Sequence, residues 1–351
     1  MVLFVDETAE LLSRLTTEEV ERLWMRCRAD NMNDYHVRKY TFCYLNLYFK
    51  KFTPMITIFH IIARFLMGGI NVKQIEAPFS VHLQYSKNGM QLGCSGTMIS
   101  DRHVLTAAHC FIQKDCEQRT VTQILSSKRW KVYYGGGCLP FSKDVCSDFQ
   151  QMARSVNIKN IAIPADYLTG PCLHNDIAIV TVKLKMVRFC FTLDDVACIT
   201  QPHDFIPNTF TLYARGSDPT RMKKTTALAT INVTRIDCVL EDQVPDRIDD
   251  QLCTSELQET NMCSGDSGAG LMFKTKRGAW NIAGIASAGT DCRIINMAIN
   301  TKDATDEPIV DISLDGSVFI DVRAHSQFIC QYAGICFDES ENQPKIKAIL
   351  L

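Results

Sequence analysis

From residue 79 onward the chain is a series of short apolar segments separated by turn residues, and this pattern limits the possible folds more than any other feature of the sequence. Six segments stand out, at residues 79–85, 104–107, 177–184, 227–233, 280–285 and 317–322. No apolar residues at helical spacing lie between them, so we predict an antiparallel β-barrel or β-sandwich. One closing helix is predicted over residues 324–332.

Cysteine content indicates the compartment. The chain has 351 residues, and 16 of them are cysteine, an even number that is too high for a reducing environment. We therefore expect disulfides and a secreted, extracellular protein. The net charge of −2 gives no reason to expect nucleic acid or a membrane surface as a partner. With 46% hydrophobic and 22% charged residues, the chain is long and apolar enough to build a folded core.

The N-terminal region carries no secretion signal at its start, where acidic residues follow the first apolar ones. Residues 5–28 have a charged, helical pattern, and Thr16 with Glu19 forms a predicted capping box. The apolar run at residues 55–63 is too short to span a membrane. It is either an internal signal-like segment, with Met55 as an alternative start, or a buried strand.

Residues 263–268 read Cys-Ser-Gly-Asp-Ser-Gly, a pattern that suits a nucleophilic serine. A serine hydroxyl attacks only when a base removes its proton and nearby donors stabilise the oxyanion that forms. The glycines allow a tight turn, so that the amides of Gly265 and Ser267 are candidate oxyanion donors. The alternative interpretation is an ordinary surface turn rich in Gly, Ser and Asp.

Two further segments supply the partners that such a serine needs. Residues 105–110 read Leu-Thr-Ala-Ala-His-Cys, and a bridge from Cys94 to Cys110 would fix the imidazole of His109. Asp176 begins an apolar strand, where a carboxylate requires a hydrogen-bonded partner. Taken singly, His109 is equally compatible with a packed or surface histidine, and Asp176 with a solvated aspartate at a strand end.

The chain order of these residues distinguishes between peptidase and hydrolase classes. It runs His109, Asp176, Ser267, whereas α/β-hydrolases run serine, acid, histidine and subtilisins begin with the acid. Residues 66–329 resemble the chymotrypsin/trypsin-like serine peptidase family through these three motifs. This resemblance implies an all-β fold of two antiparallel β-barrels with a C-terminal helix, preceded here by a helical N-terminal extension.

The resemblance also implies a function, a serine endopeptidase that hydrolyses peptide or protein substrates. His109 is expected as the general base, Asp176 as its orienting partner, Ser267 as the nucleophile, and the amides of Gly265 and Ser267 as the oxyanion hole. No metal and no cofactor are expected. The second hypothesis is a non-catalytic homologue that acts as a binding module. It ranks below the peptidase because all three triad residues are present.

The substrate pocket is where the chain departs from the family. The resemblance assigns the pocket to Asn261, Ser287, Ala288, Gly289 and Ser317. Its floor carries Asn261 where a trypsin has an aspartate, so cleavage after Arg or Lys has no support from this position. The sequence instead suggests an apolar or medium polar side chain.

Activation by cleavage is a further implication of the resemblance. Residues 66–69 read Leu-Met-Gly-Gly, similar to the start of a mature family member. Cleavage after Phe65 would free an ammonium at Leu66, and that group would pair with buried Asp266. An activating protease and protein inhibitors are therefore expected partners. The alternative is that the two glycines form only a turn.

Disulfide pairing is implied for part of the cysteines. The family pairs are Cys94–Cys110, Cys238–Cys253 and Cys263–Cys292, and Cys198 is expected to tether the propeptide, with Cys43 as its first-choice partner and Cys27 as the second. Four cysteines, three in a long insertion and the last just beyond it, can form two local bridges, and their spacing disfavours zinc; they are Cys116, Cys138, Cys146 and Cys172. No partners are assigned to Cys190, Cys330 and Cys336.

These motifs divide the chain into three parts. We expect an extension or propeptide over residues 1–65, a trypsin-like peptidase domain over 66–336 and a C-terminal tail over 337–351.

Overall fold

The structure of the protein is a computed structural model. It describes residues 3–5, 15–28, 66–72, 76–140, 153–183, 195–216, 218–219, 227–238, 250–257, 260–276, 278–305, 316–336 and 345–351. The sequence-based predictions at Cys43, Met55, Phe65, Cys146 and Cys190 lie outside these residues.

Short strands account for most of the regular structure. Up to residue 190 they are β1 (Leu3–Val5), β2 (Ile70–Asn71), β3 (Ser80–Lys87), β4 (Met90–Met98), β5 (His103–Thr106), β6 (Ile112–Asp115), β7 (Thr120–Ile124), β8 (Trp130–Tyr134), β9 (Arg154–Pro164) and β10 (Ala178–Val182). The later ones are β11 (Cys198–Ile199), β12 (Thr209–Ala214), β13 (Ala229–Ile236), β14 (Gln251–Thr254), β15 (Gly270–Lys274), β16 (Trp280–Ala288), β17 (Ser317–Asp321) and β18 (Ala348–Leu350). Each of the six apolar segments recognised in the sequence overlaps one of these strands.

The described residues also contain four α-helices. They are α1 (Thr17–Arg28), α2 (Asp166–Thr169), α3 (Cys292–Thr305) and α4 (Ser326–Ala333). In the described part of the chain, no helix combines the length and the apolar character that crossing a bilayer requires.

The strands form two closed antiparallel barrels of six strands each. The first has the order β9-β10-β5-β4-β3-β8 and closes through β8 and β9. The second has the order β16-β15-β12-β13-β14-β17 and closes through β16 and β17. Closure leaves no open sheet edge within either barrel. The predicted all-β fold of two barrels with a C-terminal helix is confirmed.

The C-terminal segment extends the first barrel. Strand β18, which belongs to the predicted tail, pairs with β9 on one side and with β1 on the other. Its residues Ala348 and Ile349 are buried in the core of this barrel. Residues 345–351 are thus part of the folded unit.

Helix α1 is packed onto the first barrel. Its predicted capping box is present, because the Thr16 amide donates to Glu19 Oε2 at 2.8 Å and the Glu19 amide donates to Thr16 Oγ1 at 3.3 Å. Leu15 and Leu23 are buried with the barrel core, and Arg102 donates to the Glu19 carboxylate. The N-terminal extension therefore contacts the domain through apolar and ionic groups together.

Disulfides connect distant parts of this framework. The described residues contain the pairs Cys27–Cys198, Cys94–Cys110, Cys116–Cys172, Cys238–Cys253, Cys263–Cys292 and Cys330–Cys336. Cys138 is also disulfide-bonded. The first-choice pairing of Cys198 with Cys43 is wrong, because docking of α1 brings Cys27 to Cys198 instead. Cys330 and Cys336 pair across the end of α4, only six residues apart.

Candidate active site

His109 lies on a short 3-10 turn, Ala108–Cys110, that follows β5 at the end of the first barrel. The disulfide from Cys110 to Cys94 on β4 fixes this turn to the barrel wall. The backbone of His109 therefore has little freedom to move relative to the strands. The Cys94 and Cys110 sulfurs lie close to the imidazole, but they are bonded to each other and offer no thiolate to a metal.

Asp176 holds His109 through two hydrogen bonds. The backbone N–H of His109 donates to Oδ1 at 2.8 Å, and Nδ1 of its ring donates to Oδ2 at 2.7 Å. Asp176 is almost fully buried, and Ser287 Oγ on β16 donates to the same Oδ2 at 2.5 Å. The imidazole is therefore oriented by Nδ1, and its other nitrogen, Nε2, has no hydrogen-bond partner in the described part of the chain and can act on a substrate or nucleophile.

The electrostatics of the pair favour a basic imidazole. Burial acts to lower the pKa of His109, but the Asp176 carboxylate outweighs it and raises that pKa above the ordinary value of 6.5. Burial acts to raise the pKa of Asp176, and the contacts from His109 and Ser287 bring it below the ordinary value. The carboxylate stays ionised while the imidazole accepts a proton readily.

Ser267 lies against the histidine segment. The Ser95 amide on β4 donates to the Ser267 carbonyl at 2.8 Å. A methyl carbon built at Gly268 would lie 2.1 Å from Thr106 Oγ1 and 2.3 Å from the Ser95 carbonyl, so only glycine fits there. This close approach brings the serine motif of the second barrel onto the strands that precede His109. Within the described residues, Ser267 Oγ forms no hydrogen bond.

The backbone around Ser267 offers two unused donors. Gly265 has a φ of 98°, which glycine adopts without strain. In the described structure, the amides of Asp266 and Gly268 donate to protein carbonyls, whereas those of Gly265 and Ser267 donate to none. Two free amides next to a serine hydroxyl can stabilise an oxyanion.

Asp266 is fully buried beneath this turn. Its carboxylate accepts hydrogen bonds from the Gly216 amide at 2.6 Å and from the Cys263 amide at 2.7 Å, and no described cation pairs with it. Burial raises the pKa of Asp266 to about 7. Leu66 is buried in the second-barrel core, and Met67 forms an antiparallel bridge with Asn261.

An acid that sequence reasoning missed, Glu256, lies beside Gly289 and Ser317, two of the residues assigned to the pocket. Ser317 Oγ on β17 donates to Glu256 Oε1 at 2.9 Å. Thr290, just past Ser287, Ala288 and Gly289, donates its amide to Glu256 Oε1 at 2.9 Å and its hydroxyl to Oε2 at 2.6 Å. No motif marks Glu256, so only the fold shows it beside the pocket.

A second carboxylate stabilises the loop before Asp176. Asp250 accepts hydrogen bonds from the Asn175 amide at 2.9 Å, from His174 Nδ1 at 3.3 Å and from His325 Nε2 at 3.0 Å. Burial acts to raise the pKa of Asp250, but these donors bring it well below its usual range. Sequence reasoning missed this cluster as well, because its members are spread over residues 174–325.

Comparison with known proteins agrees with this geometry. The family model described as Trypsin matches residues 66–306, more than half of the chain. A trypsin-like protease of Caenorhabditis elegans, try-5, is 29% identical over 297 residues, covering 73% of this chain and 83% of the relative.

Two further relatives are matched over less of their own length. The CLIP domain-containing serine protease B10 of Anopheles gambiae is 28% identical over 238 residues, covering 65% of this chain and 64% of the relative. The transmembrane protease serine 11C of Mus musculus is 30% identical over 239 residues, covering 65% of this chain and 48% of the relative. The two barrels, the site between them and these matches show that the chain belongs to the trypsin family of serine proteases.

Proposed function

We propose that the protein is an active serine endopeptidase with His109, Asp176 and Ser267 as its catalytic triad. The observation that carries this proposal is the double hydrogen bond from His109 to the buried Asp176 carboxylate. A buried carboxylate with this geometry fixes both the tautomer and the orientation of the imidazole. The close packing of Gly268 on Thr106 supports it, since this contact keeps Ser267 beside the histidine segment.

The reaction follows from these positions. Ser267 Oγ attacks the substrate carbonyl carbon while His109 Nε2 takes the hydroxyl proton, and Asp176 stabilises the imidazolium that forms. The amides of Gly265 and Ser267 stabilise the tetrahedral oxyanion, a contribution of roughly 3 kcal/mol per donor. His109 then gives its proton to the leaving amine, and water hydrolyses the acyl-enzyme by the same steps in reverse.

The proposal includes a zymogen that is activated by cleavage between Phe65 and Leu66. Leu66 is already buried in the second barrel, and the Asn261 amide donates to the Met67 carbonyl at 3.1 Å. An ammonium formed at Leu66 would supply the cation that buried Asp266 lacks among the described residues. We also propose secretion, because disulfides such as the six described pairs form and persist in oxidising compartments.

Peptide hydrolysis by processed protein tests the function. The experiment measures cleavage of a mixed peptide library by the full chain before and after cleavage at Phe65, with Ser267→Ala and His109→Ala as variants. Processed wild type is expected to cleave, and each variant to lose activity by a factor of at least about 10⁴. Residual activity near wild type in either variant would show that the triad assignment is wrong.

A further inference from the structure

Asn261, the expected floor of the substrate pocket, is engaged with its own chain. Its Oδ1 accepts from the Leu257 amide at 2.9 Å, and its Nδ2 donates to the Leu257 carbonyl. Its backbone N–H donates to the Met67 carbonyl at 3.1 Å. Both ends of this buried side chain are therefore satisfied by the neighbouring loop, and Asn261 carries no charge with which to select a substrate.

Glu256 places a carboxylate between two walls of the pocket instead. A methyl carbon built at Gly289 would lie 2.8 Å from Glu256 Oε1 and 3.0 Å from Ser317 Oγ. Gly289 and Ser317 come from different strand ends, β16 and β17, and the resemblance assigns both to the substrate pocket. The carboxylate thus occupies space that the side chain of any larger residue at position 289 would fill.

Among the described residues, the charge of Glu256 has no oppositely charged partner. Glu256 is 7% exposed, and its hydrogen-bond donors are the neutral groups of Thr290 and Ser317. No lysine, arginine or histidine of the described residues forms an ion pair with it. Neutral donors position a buried carboxylate but leave its charge uncompensated, so a cation that enters the pocket gains a strong charge-assisted hydrogen bond.

We infer that Glu256 is the specificity-determining residue of this protein and selects substrates with a positively charged side chain, lysine or arginine, before the scissile bond. The inference rests on the proposed peptidase function and reverses the expectation drawn from Asn261 alone. It assigns the negative charge of the pocket to its side wall, where Thr290 and Ser317 fix the carboxylate.

A pair of substrates tests this assignment. They are two otherwise identical fluorogenic peptides with arginine or with citrulline, its neutral analogue of the same shape, before the scissile bond. Wild type is expected to prefer arginine about a hundredfold in kcat/KM, and Glu256→Gln to reduce the preference to within about threefold. Asp291→Asn is the matched control, because it removes an exposed charge next to Thr290 and should keep the preference. An unchanged ratio in Glu256→Gln would overturn the inference.

A binding measurement separates this inference from the proposed function. Calorimetric titration of the full-length Ser267→Ala protein with benzamidine, a small amidinium cation, requires no turnover. We expect Glu256→Gln to weaken benzamidine binding at least about tenfold, and both proteins to bind neutral benzamide weakly. This result supports the inference even if peptide hydrolysis fails. Equal binding of benzamidine and benzamide, or no effect of Glu256→Gln, contradicts it even if hydrolysis succeeds.

Discussion

The carboxylate of Asp250 accepts a hydrogen bond of 2.9 Å from the backbone amide of Asn175, the residue directly before Asp176. Asn175 has a φ of 53°, a left-handed conformation that requires support from its surroundings. The rings of His174 and His325 donate to the same carboxylate. Asp250 therefore connects the loop that carries Asp176 to the start of α4.

Removal of Asp250 is expected to loosen this loop. Asp250→Ala leaves two imidazoles and a backbone amide without their acceptor, so the free energy of unfolding should fall by about 3 kcal/mol. Because Asp176 would be held less firmly, kcat should fall more than KM rises. Urea denaturation and steady-state kinetics measure the two effects. Asp291→Asn, which removes one charge of an exposed ion pair and keeps the side-chain oxygen that accepts from the Arg293 amide, is the control and should change stability by less than about 1 kcal/mol.

The pH dependence of activity should report the His109–Asp176 pair. His109 must be neutral to accept the serine proton, and its pKa is raised, so kcat/KM should rise with pH and reach half its maximum above pH 6.5. Asp176→Asn should move this midpoint down and lower kcat about 10⁴-fold. A midpoint that is the same in wild type and Asp176→Asn would contradict the proposed pairing.

Asp266 should make the uncleaved chain less stable as pH rises. The folded chain keeps the Asp266 proton up to about pH 7, whereas an unfolded aspartate releases it near 3.8. Between these two pKa values the folded state binds more protons than the unfolded state, so the free energy of unfolding falls as the pH rises. The total decrease is about 4 kcal/mol, at about 1.36 kcal/mol per pKa unit.

Urea denaturation of uncleaved Ser267→Ala protein at several pH values measures this decline. The double variant Ser267→Ala with Asp266→Asn should lack this decline. The difference in unfolding free energy between the double variant and Ser267→Ala should therefore change with pH. Cleavage at Phe65 should also abolish the decline, because the Leu66 ammonium then stabilises the ionised carboxylate. If the free energy of unfolding changed with pH by the same slope in both proteins, the assigned role of Asp266 would be contradicted.

The Cys27–Cys198 disulfide should retain the N-terminal fragment after activation. Wild-type protein that has been cleaved after Phe65 is expected to give one band on a non-reducing gel and two bands on a reducing gel. In Cys27→Ser, α1 still has its buried leucines and the Glu19–Arg102 contact, so the variant should fold. On the non-reducing gel it should give one band before cleavage and two bands after it. Two bands from cleaved wild type without reductant would contradict this role.

Local patterns were sufficient to predict six of the strands, the helix α4 and the capping box, because each depends on residues close together in the chain. The triad could be proposed because each of its members carries its own short motif. The choice of Cys43 over Cys27 failed, because disulfide pairing depends on where α1 packs, and α1 docks through Leu15, Leu23 and Glu19.

The features that sequence reasoning missed are long-range ones. Glu256 and Asp250 stand in no motif, and their partners are up to 76 residues away in the chain. Only closure of the second barrel brings β16 and β17 together beside Glu256, and only the contact between the barrels brings Asp250 to the Asp176 loop. Such sites follow from topology, which a single sequence does not specify at the level of side chains.

Covalent labelling with a fluorophosphonate probe tests the central claim most directly, because the reagent reacts only with a serine that a neighbouring base activates. Mass spectrometry of the processed protein should locate the label on Ser267, with labelling absent in Ser267→Ala and strongly reduced in His109→Ala. A folded, processed protein that never takes up the label would contradict the catalytic account and favour a non-catalytic homologue.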